Sequence, residues 1–220
     1  MSLPIFSVRT FYLFAWLVFV MLVYPYLSDF FGLIIAGVSI AFIPVAGVYA
    51  VSDSRRSVII GLVFGIPSIL STLYVALVGG DNFTPRGPYA FFMCTYYAIT
   101  TIMIFIHVMK ARRVTLDTLF GAASVYLLIG FTFATLFMAI QVEIPGAFRG
   151  PPEEGFLEFA DMLYYSFVTL TTLGYGEITP ATSHSQSLAM VEAVVGVMYM
   201  AIIVARLVSL YQSTKSDREE

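Results

Sequence analysis

Asp-Met-Leu-Tyr-Tyr-Ser-Phe-Val-Thr-Leu-Thr-Thr-Leu-Gly-Tyr-Gly-Glu-Ile-Thr-Pro, residues 161–180, joins two backbone signals that do not belong to one regular element. From Phe159 to Thr171 the chain is apolar and aromatic for three to four helical turns. A helix needs roughly 20 apolar residues to cross the hydrocarbon core, so this one is too short to span. Gly174 and Gly176 then break any helix. Upstream, Glu143 to Glu158 carries Pro145, Gly146, Gly150, Pro151, Pro152 and Gly155 and reads as a surface loop. Long apolar runs at 117–141 and 185–211 flank the whole interval. A short helix, a glycine-bearing strand and a return to the same side make a re-entrant element. Irregular backbone at that depth is tolerated only when buried in protein or lining a watery path. The stretch therefore points to a pore or transport pathway.

The rest of the chain supplies the membrane. Of 220 residues, 59% are hydrophobic and 11% charged, and the mean hydropathy is +0.89. A water-soluble domain needs more polar surface than that. Six stretches are long enough to span, at about 10–27, 30–51, 57–79, 89–109, 117–141 and 185–211. Pro44 and Pro67 lie inside spans and read as kinks. The N-terminal run reads as a retained span rather than a cleaved signal. Cys94, the single cysteine, makes no intrachain disulfide. With the N-terminus in the cytoplasm, Arg9, Arg55, Arg56, Lys110, Arg112, Arg113, Arg206, Lys215 and Arg218 fall on the cytoplasmic side. Only Arg86 and Arg149 fall outside. Both termini are then cytoplasmic, and a bacterial inner membrane is the expected location.

Residues 161–180, with the spans that flank them, resemble the pore helix and selectivity filter of the potassium channel superfamily. The specific match is Thr-Thr-Leu-Gly-Tyr-Gly at 171–176. The resemblance covers about 117–211, and the front spans match the six-span layout in number only. It implies an all-α integral membrane protein with six transmembrane helices, a re-entrant pore helix and a filter strand. Residues 1–113 would form a four-helix membrane bundle, 114–211 the pore domain and 212–220 a short cytoplasmic tail. It implies that Thr172, Leu173, Gly174, Tyr175 and Gly176 form the filter, with the backbone carbonyls of 172–175 and the Thr172 hydroxyl replacing the ion's hydration oxygens. Gly174 and Gly176 relieve the strain of that backbone. Each oxygen ring needs several oxygens and one chain supplies one per level, so the expected partners are three identical subunits, with potassium ions and membrane lipid. Neither a cofactor nor nucleic acid is expected.

Thr171, Tyr165 and Glu177 are the expected supporting residues. Glu177 stands where the family usually has Asp, and Tyr164-Tyr165 where tryptophans are common. The family's brace between the acidic residue after the filter and the pore helix would here fall to the Tyr165 hydroxyl, since Val168 cannot hydrogen-bond. Twenty residues after Gly176 stands Gly196, at the family's inner-helix hinge; helix packing accounts for it equally well. Gly196 and Val204 are the candidate gate, and Ala193, Val197, Met200 and Val204 would face an apolar cavity. Glu192 is the only carboxylate inside a predicted helix core. It reads either as a functional group or as a protonated or hydrogen-bonded carboxyl packed behind the filter. Eight acidic residues, Asp29, Asp81, Glu143, Glu153, Glu154, Glu158, Asp161 and Glu177, fall outside in this topology, a field that concentrates cations.

The fourth span, Tyr89 to Met109, lacks the arginines of voltage-gated relatives, and the second and third lack buried acidic counter-charges. Without charge in the field, steep voltage dependence has no source. His107 and His184 read as interfacial and loop residues. Nine residues follow Tyr211, and no cytoplasmic nucleotide or calcium domain is expected. A secondary transporter predicts internal repeats and an enzyme predicts clustered catalytic groups; the sequence has neither. The expected function is passive, potassium-selective conduction, and the alternative is potassium uptake or less selective cation transport through a filter-like loop.

Overall fold

The computed structural model describes residues 9–23, 86–151 and 157–219, with isolated residues between 26 and 70. The expected spans at 30–51 and 57–79 lie, apart from those isolated residues, outside the described residues. The elements in chain order are helices α1 (Arg9–Val23), α2 (Arg86–Lys110) and α3 (Leu116–Glu143), strand β1 (Phe148–Arg149), helix α4 (Phe159–Leu170), strand β2 (Thr179–Pro180) and helix α5 (Ser183–Glu219). Three helices are long and apolar enough to cross a membrane, over Phe92–Lys110, Leu116–Glu143 and Ser183–Gln212. The chain is thus mostly helical and multi-pass. α1, expected to span 10–27, has 15 residues as described, short of a full crossing. α5 runs past the expected boundary at 211 to Glu219, since no Gly or Pro interrupts 212–219.

α3 is the hub. It packs against α1, α2, α4 and α5, and it is apolar nearly all round because it has almost no free face. Thr115 caps it, its hydroxyl accepting from Thr118 N at 3.2 Å. Asp117 sits in the first turn, where its charge suits the helix dipole. The same residue fastens α1: the buried Thr10 hydroxyl lies 2.9 Å from Asp117 Oδ1 and 2.8 Å from its carbonyl. At its other end α3 stops at Ile144, before Pro145 and Gly146, the latter at φ +80°.

Two short contacts set α4 against its neighbours. On the α3 side, a Cβ at Gly130 would stand 2.6 Å from the Phe167 ring. On the α5 side, a Cβ at Gly196 would stand 2.5 Å from the Leu170 carbonyl oxygen. Both helices reach α4 only because these positions carry no side chain, the usual device for close approach in membranes. Tyr165 fills the remaining side, edge-on to Phe137 and Phe148 with centroids 5.0 and 5.3 Å away.

The loop before α4 and the segment after Glu177 are stitched together by a two-residue antiparallel ladder, Phe148 opposite Pro180 and Arg149 opposite Thr179. Around it, Ala181 N donates to Ala147 O at 2.8 Å and Ser185 Oγ to the same carbonyl at 2.7 Å. The buried Gln141 accepts from Phe148 N at 3.1 Å. Thr182 and Ser185 cap α5 reciprocally.

Candidate functional site: an ion pathway at the end of a short helix

α4 has 12 residues and begins at a capping box, in which Glu158 N donates to Asp161 Oδ2 at 2.8 Å. Its far end is unusual. Thr172, Gly174 and Gly176 have φ of +60°, +61° and +89°, and the residues between them stay at negative φ. An alternation of left- and right-handed residues turns successive peptide planes so that all carbonyls project to one side and all N–H groups to the other. The hydrogen bonds match this alternation. Thr172 N donates to Thr169 O at 3.0 Å, and Leu173 N and Gly174 N donate to Val168 O at 2.9 and 3.2 Å. The amides are thus taken up by the orphan carbonyls of the helix end. The carbonyls of Thr172, Leu173, Gly174 and Tyr175 have no hydrogen-bond partner among the described residues.

Residues 171–177 are exposed along their whole length, so this row of oxygens is not a buried defect. A row of free carbonyls at the negative end of a helix is a cation site in waiting. Glycine accounts for the backbone at 174 and 176. Thr172 does not have that freedom; it is the only non-glycine at positive φ among the described residues. Such a residue persists only where its surroundings over-determine it. Here the three amide bonds beside it do so. Among the described residues, no group of three or more His, Cys, Asp or Glu is placed to hold a metal ion.

The expected supporting residues fall out differently. Thr171 Oγ1 donates back to Phe167 O at 2.6 Å, closing α4. Glu177 is braced, but not by Tyr165. Tyr165 is buried against Phe137 and Phe148, and the Tyr164 hydroxyl donates to Glu177 Oε1 instead. The reason is helical rotation: one residue step turns a side chain by roughly 100°, taking Tyr165 into the core and Tyr164 toward Glu177. Donating to the carboxylate pushes the Tyr164 hydroxyl up to about 12, so it keeps its proton.

At the end of α4, Tyr126 on α3 donates to Leu170 O at 3.3 Å. Deeper still, Ser166 Oγ lies 2.8 Å from Gly130 O and 2.5 Å from Glu192 Oε1. Ser166 and Glu192 are both fully buried. Of the two readings of Glu192, the hydrogen-bonded carboxyl packed in the interior is the one the geometry gives, against Ser166 of α4. Gly196 is fitted to Leu170, which supplies the packing reading of that residue. On α5, Glu192, Gly196, Tyr199 and Ile203 form the covered stripe. Val197, Met200 and Val204 are exposed and Ala193 half-buried. Near the other end of that helix, Arg206 Nη2 donates to the carbonyls of Met109 and Ala111 at 3.3 and 3.2 Å. This ties α5 to the end of α2.

A re-entrant helix ending in free carbonyls between two membrane helices defines the pore module of an ion channel. Comparison with known proteins agrees. Residues 125–213 match the family described as "Ion channel". The chain is 33% identical over 107 residues to Protein LctB of Bacillus caldotenax, covering 47% of this chain and 79% of that one. It is 30% identical over 105 residues to Protein LctB of Geobacillus stearothermophilus, covering 46% and 78%. It is also 41% identical over 51 residues to Two-pore potassium channel 4 of Arabidopsis thaliana, covering 23% of this chain and 18% of that one. No solved structure matches. The chain belongs to this ion channel family, within the potassium channel superfamily.

Proposed function

We propose that the chain is one of four identical subunits of a potassium-selective channel, with Thr172, Leu173, Gly174, Tyr175 and Gly176 as its filter. The observation that carries this reading is the row of carbonyls on 172–175, without partners among the described residues while the amides of Thr172, Leu173 and Gly174 are bonded to the helix end. A potassium ion leaving water needs a full shell of oxygens at little net cost. One chain offers one carbonyl per level, so a closed ring calls for several chains about an axis, and four satisfy the shell. The exposed apolar face of α5, including Val194, Val197, Met198 and Val204, is the face that such an axis and the adjoining subunits would cover.

In this reading residues 1–113 are a four-helix bundle without voltage-sensing charge, 114–211 are the pore domain, and the chain crosses the cell membrane six times with both ends cytoplasmic. Val204, exposed on the inner helix, faces the pathway where it narrows or widens, and Gly196, buried against Leu170, sets how closely that helix approaches α4. Conduction is passive, and no cofactor is required beyond the ions themselves. Flux from proteoliposomes tests it. Vesicles loaded with potassium should empty down their gradient when the protein is present, and vesicles loaded with sodium should not. Equal release of both ions would overturn the reading.

A further inference from the structure

Glu192 lies in the first third of the helix stretch Ser183–Gln212, fully buried within a single chain. Its burial therefore owes nothing to any neighbouring subunit. Its Oε1 meets the Ser166 hydroxyl on α4, and that hydroxyl also meets the Gly130 carbonyl on α3. Three helices thus converge on one serine oxygen. A hydroxyl has a single proton to give, and a backbone carbonyl can only accept. If Ser166 donates to Gly130 O, the contact with Glu192 needs a proton supplied from the glutamate side.

The second carboxyl oxygen gives an independent indication. Glu192 Oε2 is buried and has no hydrogen-bond partner among the described residues. An ionised carboxylate spreads its charge over both oxygens, so one of them would sit bare in an apolar interior, a costly arrangement. In a neutral acid that oxygen is only a carbonyl, and its cost is far smaller. Among the described residues, the ionisable groups that feel its charge, Tyr126 on α3 and Tyr165 on α4, are phenols and bring no positive charge.

We propose that Glu192 is held as a neutral carboxylic acid and donates its proton to Ser166, which passes its own to Gly130 O, so that Glu192 is the residue positioning the filter-bearing helix against α3 and α5. It acts through Ser166 and touches no ion. The chain of donors Glu192 to Ser166 to Gly130 has one direction only, and it fixes α4 in rotation as well as in distance. The rotation matters, since it decides which face of α4 carries Tyr164 to Glu177. The proposal rests on the filter reading for its consequence, although the protonation state stands apart from it.

Infrared spectroscopy of the assembled protein tests the protonation directly. At neutral pH the wild type should show the carbonyl stretch of a protonated carboxyl, moved by exchange into heavy water and missing from Glu192→Gln. A wild-type spectrum without that band overturns the proposal. Single-channel records test the positioning. Glu192→Leu, which keeps bulk but cannot donate, should shorten sustained filter opening by about tenfold, the loss of one buried hydrogen bond. Glu192→Gln, which can donate, should restore most of it, with potassium preference unchanged in both. If the glutamine variant matches the leucine variant, or if the leucine variant matches wild type, the donor role is wrong. The infrared band is read whether or not the pore selects potassium, so failure of the filter reading and failure of this one remain distinguishable.

Discussion

Replacing Gly196 with alanine separates a glycine needed for bending from a glycine needed for fit. The added Cβ would stand 2.5 Å from Leu170 O, 2.9 Å from Leu170 Cδ1 and 3.3 Å from Leu170 C. The methyl can rotate away. The carbonyl cannot, because it belongs to the last turn of α4 and accepts from Tyr126. Restoring ordinary contact requires α5 to retreat by about 0.9 Å, since cores do not stretch to absorb such a gap. Overpacking of this kind costs roughly 1–3 kcal/mol, and alanine returns roughly 0.8–1.0 kcal/mol of helix preference. The expected net effect is a destabilisation of roughly 0–2 kcal/mol. It is accompanied by shorter openings, because the displaced turn lies directly before Thr171 and Thr172. A glycine kept only for bending would behave oppositely: alanine would stiffen and stabilise the helix. Thermal melting of the purified protein, read beside single-channel lifetimes, decides between them. A midpoint above wild type would refute the packing argument.

Tyr164→Phe should deepen inactivation with ion preference unchanged, whereas Tyr165→Phe, whose hydroxyl does not hold Glu177, should leave inactivation near wild type; recordings under sustained opening check both. Because the Tyr164 hydroxyl is raised to about 12, its bond is intact below the ordinary tyrosine range and is lost only as pH rises through that value. Lifetimes should accordingly hold between neutral pH and about pH 10, the range below ordinary tyrosine ionisation, and a collapse within that window would contradict the brace. Arg206→Leu removes a charged donor from the Met109 and Ala111 carbonyls, a contribution of roughly 1.5 kcal/mol at these lengths, so open probability should move about tenfold, as steady-state recording would show. Conductance should rise only shallowly with voltage, because Phe92–Lys110 carries no arginine; a steep conductance–voltage curve would show charge crossing the field.

The sequence made the elements of the pore module legible because each is written in long-range hydropathy. Runs at 117–141 and 185–211 became α3 and α5, and the short apolar run from Phe159 became α4 with its end one residue from expectation. The handedness of Gly174 and Gly176 was legible for the same reason, since glycine signals it. Thr172 gave no such signal; its positive φ is imposed by amides reaching back to Val168 and Thr169. The ladder between 148–149 and 179–180 was invisible because two residues cannot display a period of two. Tyr164 and Tyr165 are adjacent and chemically identical, so only the rotation of α4 could assign the partner of Glu177. Glu192 stood out as a carboxylate in a membrane helix, yet its partner Ser166 is 26 residues away on another helix. No local pattern records such a contact.

The most direct measurement of the central claim is the reversal potential of the purified protein in a planar bilayer, with potassium and sodium gradients varied independently. A potassium filter built from the carbonyls of 172–175 predicts a potential that moves with the full Nernst slope for potassium and ignores sodium. A potential that follows sodium as closely as potassium would contradict it.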